Sequence, residues 1–93
     1  MSGFDERYDA LKARFVTRCA GDLPVLERAL TGSVDAATLR QTVHRLSGAA
    51  GTFGYHDLSR LAGAVDDRLV EGRKVSKADL KPLVEAVRVL TRG

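Results

Sequence analysis

This 93-residue sequence predicts an all-α fold: an antiparallel up-down four-helix bundle with a short extra helix near the N-terminus. Three observations carry that expectation. Apolar residues recur at spacings of three and four through nearly the whole chain, which is the helical period. No segment shows the apolar–polar alternation of a strand, an internal repeat or a low-complexity run. The breaks between periodic segments are a few residues long, too short for sequential helices to lie other than antiparallel. Apolar content comes mainly from Leu, Val and Ala, with three Phe, two Tyr and no Trp, which suits helix-on-helix packing. The whole of residues 1–93 reads as one domain, large enough for a single core.

The first helix is expected over Phe4 to Ala20, on the stripe Phe4, Tyr8, Leu11, Phe15 and Cys19. Asp5 and Glu6 stand in its first turn, where the helix dipole favours carboxylates. Gly21 reads as its stop. Asp22 then reads as the cap of a short helix, Leu23 to Leu30, in which Pro24 is tolerated in the opening turn. Thr31-Gly32-Ser33 breaks the chain, and Asp35 or Ser33 caps a long helix with the stripe Leu39, Val43, Leu46, Ala50 and Phe53. Gly54 is its natural terminator. A further helix is expected from Tyr55 to Glu71, on Leu58, Leu61, Ala62, Val65 and Leu69, and ends at Gly72. Ser76 and Asp79 form a capping-box pattern for the last helix, whose core positions are Leu80, Leu83, Val84, Val87 and Leu90.

Composition narrows the function. A single cysteine, Cys19, excludes an intrachain disulfide and sits at the end of an apolar stripe, as a core thiol does. No apolar run approaches the about eighteen residues needed to cross a bilayer, and the N-terminus has no signal-peptide pattern. The expectation is a cytoplasmic chain with no membrane partner. The fifteen basic residues, giving a net charge of +3, are spread over every segment. Nucleic-acid modules gather them on one face, often among stacking aromatics, so no nucleic-acid partner is expected.

The chemistry concentrates in the long helix. His44 lies roughly 100° around the helix from Val43 and so falls off the apolar stripe. Residues three, four and seven positions away on its face are Ala37, Arg40, Gln41, Ser47, Gly48 and Gly51. Interior helical glycine costs about 1 kcal/mol against alanine, so Gly48 and Gly51 need a reason. Either something bulky approaches His44 in line with its ring, or a neighbouring helix backbone comes close. Gly48, Gly51 and Gly54 also form G-x-x-G-x-x-G, but a dinucleotide site needs a strand before it, and here the preceding segment is helical.

His44-Arg-Leu-Ser-Gly-Ala-Ala-Gly-Thr-Phe-Gly54 resembles the signature of histidine-containing phosphotransfer (HPt) domains, in which H-x-L-K-G is followed by small residues and a second glycine. His44, Leu46, Gly48 and Gly54 match position for position, and Ser47 stands where the family usually has lysine. Leu58 to Asp66 is similar to the family's next helix. The resemblance covers nearly the whole chain.

It implies that His44 accepts a phosphoryl group from an aspartyl phosphate on a receiver domain and passes it to another receiver, as a phosphoryl carrier and not an autonomous enzyme. The partners implied are receiver domains of response regulators or of a hybrid histidine kinase. The chain itself would need no cofactor or metal, since Mg²⁺ belongs to the receiver. Unperturbed imidazole, with a pKa of about 6.5, is a competent nucleophile near neutral pH. The docking surface is expected around Arg40, Gln41, Arg45, Ser47, Gly48 and Gly51. Arg40, one turn before His44, is the candidate replacement for the family's lysine. On the following helix, Ser59, Gly63 and Asp66 are expected to border His44. His56 reads as a surface residue at a helix start. Two other readings stay open: an HPt-like adaptor that binds a receiver or kinase without accepting phosphate, motivated by Ser47, and a small basic nucleic-acid binder.

Overall fold

In the computed structural model, residues 3–92 are described, with side chains from Asp5 onward. Four helices follow one another: α1 (Gly3–Leu30), α2 (Ala36–Thr52), α3 (His56–Val70) and α4 (Lys77–Arg92). Each packs on its neighbours around a four-helix bundle, α1 on α2 and α4, and α3 on α2 and α4. No strand occurs among the described residues. No helix is long and apolar enough to cross a membrane among them. Phe4, placed at the head of the first stripe by its spacing, lies outside the residues whose side chains are described.

The extra short helix does not exist as a separate element. Gly21 and Pro24 both lie inside one 28-residue α1. The reason is visible in the register: Phe15, Cys19, Asp22 and Leu26 are all buried, so one stripe crosses the expected break at spacings of four, three and four. Proline inside a helix costs about 3 kcal/mol, and Pro24 leaves the Ala20 carbonyl without its helical donor. Ala20, Gly21 and Pro24 are exposed, so water can serve that carbonyl. Burial of Leu26, worth about 1.5–3 kcal/mol, with Leu23, Ala29 and Leu30 packed beside it, holds the helix together across the break. At about 1.5 Å per residue, α1 sets the 47 Å long dimension.

The other boundaries follow local chemistry. Asp35 caps α2, accepting from the Thr38 N–H at 3.2 Å and the Thr38 hydroxyl at 2.6 Å. The capping box at α4 is reciprocal: the Ser76 N–H donates to Asp79 Oδ2 at 2.8 Å, and the Asp79 N–H to Ser76 Oγ at 3.3 Å. Both carboxyls are thereby held below the ordinary range, chiefly by the hydrogen bonds from Thr38 and Ser76. At the end of α2, Gly54 has φ +84°, the Tyr55 N–H reaches the Ala50 carbonyl at 2.9 Å, and the Gly54 N–H reaches that of Gly51 at 3.3 Å. That pair of bonds is a Schellman termination, and it turns the chain sharply into α3.

The core is one cluster drawn from all four helices, including Leu26, Val43, Leu46, Ala62, Leu80 and Leu83. Phe15 stacks on Phe53 and Tyr55, with ring centroids 5.5 and 5.6 Å apart, and fixes α1 against the α2–α3 turn. Cys19 is fully buried, and burial, followed by the nearby charge of Asp22, pushes its thiol up to about 11. It is a core group and not a nucleophile at neutral pH.

Candidate functional site

Val43 and Leu46 anchor α2 in the core, and this turns His44 outward, with 71% of its side chain exposed. Directly across on α3, Asp66 is only 13% exposed, and its Oδ2 lies 2.9 Å from His44 Nδ1. An ionised carboxylate can only accept, so Nδ1 carries the proton and donates. In the neutral ring the lone pair is then on Nε2, on the side away from Asp66. The other Asp66 oxygen, Oδ1, is buried and takes no hydrogen bond. Its charge is met by Arg40 Nε at 3.6 Å.

On the α1 side of His44, Arg18, Ala37, Arg40, Gln41, His44 and Arg45 line a basin of about 760 Å³. Asp22 lies beside it. This residue was expected to be a cap, but it is buried in α1 and accepts from Arg45 Nη2 at 2.6 Å. Burial pushes the Asp22 carboxyl up, opposed by the charges of Arg45 and Arg18. The Asp22–Arg45 pair thus ties α1 to α2 one residue from His44.

The small residues divide between two faces. Gly48 has open space around it: a Cβ built there would meet nothing within 4 Å. Gly51 is turned toward α3, where a Cβ would stand 3.3 Å from Ser59 Oγ. Ser47 is turned the same way. Its hydroxyl donates to the Ser59 carbonyl at 2.9 Å, and the Ser59 hydroxyl donates back to the Ser47 carbonyl at 2.8 Å. A Cβ on Gly63 would come within 3.2 Å of Ser47 Oγ. Close approach of a neighbouring helix therefore explains Gly51, matched by Gly63 on α3, while Gly48 stands in open space on the outer face.

Of the residues expected on the docking surface, Arg40, Gln41 and Arg45 share the basin with His44, and Gly48 is exposed nearby. Ser47 and Gly51 belong instead to the α2–α3 contact, because the reciprocal serine bonds draw them inward. Of the three α3 residues expected beside His44, Asp66 is there, while Ser59 and Gly63 lie against Ser47 and Gly51. His56, the first residue of α3, is exposed. Two groups escaped the sequence reading. Arg18 is the residue before Cys19, on the exposed face of α1, and gave no periodic signal. Asp22 was legible only as part of the stripe with Cys19 and Leu26. Among the described residues, no group of three or more His, Cys, Asp or Glu could hold a metal ion.

Compared with known protein families, residues 10–91 match the Hpt domain. The chain belongs to the Hpt domain family. Members of this family are phosphocarriers that work in two-component phosphorelays through histidine phosphotransfer with receiver domains. No curated protein and no solved structure matches the chain.

Proposed function

We propose that this Hpt domain is a relay intermediate in which His44 Nε2 takes a phosphoryl group from the aspartyl phosphate of one receiver domain and gives it to the aspartate of another. The observation that carries the reading is the His44–Asp66 contact, which leaves Nε2 as the outward lone pair on a largely exposed ring.

The step balances without further co-reactants. The Nε2 lone pair attacks phosphorus in line, the acyl O–P bond of the donor breaks, and the electron pair leaves with the donor's carboxylate. The new N–P bond puts positive charge on the ring, whose Nδ1 proton stays between His44 and Asp66. The Asp66 carboxylate opposes that charge at 2.9 Å. Donation to the second receiver is the reverse. Mg²⁺ and the acyl-forming aspartate belong to the receiver, and this chain supplies the nucleophile, its orientation and nearby cations. Ser47 is engaged with Ser59, so the cation beside the phosphoryl oxygens is assigned to Arg40, whose hold on Asp66 is loose at 3.6 Å.

The test is relay in a three-component mixture: one phosphorylated receiver, this chain and a second, unphosphorylated receiver. Label is expected to reach the second receiver only when the chain is present, and a His44→Gln chain should leave it in the first. Tight binding of both receivers with no transfer would replace the carrier with a phosphate-independent adaptor.

A further inference from the structure

The basin beside His44 holds one guanidinium, that of Arg18, to which the transfer step gives no role. Three guanidinium groups, Arg18, Arg40 and Arg45, line it. Two carboxylates reach them, and each is engaged: Asp22 with Arg45 at 2.6 Å and Asp66 with Arg40 at 3.6 Å. Among the described residues no carboxylate forms an ion pair with Arg18, which is exposed on α1; Asp22, four residues on, feels its charge but is bound by Arg45. One positive charge is therefore left over, and it sits at Arg18.

The basin is also held in shape. Its walls come from α1 and α2, and the bond from the lining Arg45 to Asp22 joins those two helices. A site fixed before binding loses less entropy when it is occupied. Guanidinium is planar and matches a carboxylate with two parallel N–H groups. No aromatic side chain lines the basin, so it offers no platform for a base. A single surplus charge is too little for a phosphate backbone, whose binding rests on many cations at once.

We propose that Arg18 is a specificity-determining contact of the receiver-docking face, taking a carboxylate side chain of the receiver while His44 faces the phosphoryl group. The inference rests on the relay reading for its partner. It adds a recognition element on α1, outside the helix that carries the nucleophile.

The experiment measures single-turnover transfer from a phosphorylated receiver over a range of receiver concentrations, with direct receiver binding measured by calorimetry on the same proteins. Arg18→Ala, Arg18→Glu and Arg60→Ala are compared with wild type. Arg60 is an exposed arginine on α3, paired with Asp57, and serves as the control for net charge. Arg18→Ala is expected to raise the half-saturating receiver concentration about three- to fivefold, with charge reversal raising it further, as for rim charges at other interfaces. The plateau rate stays within about twofold, and added salt weakens wild type more than Arg18→Ala. Arg60→Ala leaves half-saturation unmoved. Unchanged half-saturation in both Arg18 variants would overturn the proposal, as would an equal shift in Arg60→Ala. So would an Arg18-dependent loss seen only for a duplex oligonucleotide. If wild type takes no phosphoryl group at any concentration, the relay reading fails separately, and the calorimetric affinities still decide the role of Arg18.

Discussion

Replacing Asp66 with Ala removes the carboxylate that faces the His44 ring and leaves the rest of the site in place. In the transition state the ring acquires positive charge, with the two charge centres about 4 Å apart. Such a pair is worth about 1 kcal/mol in water and about 4 kcal/mol at a partly shielded protein surface. Asp66 is 13% exposed but His44 is 71% exposed, which favours the lower half of that range. We expect a loss of about 1–2 kcal/mol, or roughly 5- to 30-fold in the plateau transfer rate. Stability should change by less than about 1 kcal/mol. Asp66 Oδ1 is a buried acceptor without a hydrogen bond, so its removal relieves a cost, and alanine is the better helix former. The assay is single-turnover transfer at saturating receiver, with thermal unfolding run on the same samples. Wild-type transfer by a folded Asp66→Ala chain would refute the orienting role. A loss of rate that tracked a loss of fold would make Asp66 merely structural.

Three further outcomes follow from the geometry. Asp22→Ala leaves Arg45, a half-buried cation, without its partner. Breaking a buried pair costs about 3–5 kcal/mol, and because Arg45 is 38% exposed we expect about 2 kcal/mol, read as a lower midpoint in urea unfolding. Gly48→Ala should stabilise the domain by about 0.5–1 kcal/mol, since its Cβ enters open space and interior helical glycine is costly. Gly63→Ala should not, because its Cβ meets a Ser47 oxygen held by Ser59; equal gains at both positions would contradict the close α2–α3 approach. Asp35 and Asp79 have folded pKa values below the ordinary 3.8. Their capping stability is present above that value and is lost as pH falls through 3.8 and on through the lower folded pKa. Replacing both with Ala should flatten the acid limb of the stability curve measured by circular dichroism, and an unchanged limb would remove the caps from the account.

Helical spacing carried most of the fold, because each helix buries a stripe whose period can be read directly. Helix ends were equally legible where a residue caps itself locally, as Asp35, Ser76 and the glycines after α2 and α3 do. The break expected at Gly21 does not form, because a buried stripe runs through both local break signals, Gly21 and Pro24. Phe15, Cys19, Asp22 and Leu26 bury one continuous face, and that tertiary gain outweighs a glycine and a proline. Asp22 was misread for the same reason: its partner, Arg45, is 23 residues away, and no local pattern announces a buried ion pair between helices. At the site, the outward position of His44 followed from the phase of Val43 and Leu46, and Asp66 from the phase of α3. The inward turn of Ser47 did not, because it depends on how closely two helices approach, and that distance is set by glycines on both of them.

The most direct test of the central claim is intact mass after incubation with a phosphorylated receiver, read at neutral pH and again after mild acid. The N–P bond of phosphohistidine is acid-labile. The account predicts one phosphoryl adduct on wild type that disappears in acid, and none on His44→Gln. The same adduct on both proteins would place the acceptor elsewhere in the chain and contradict the reading of α2.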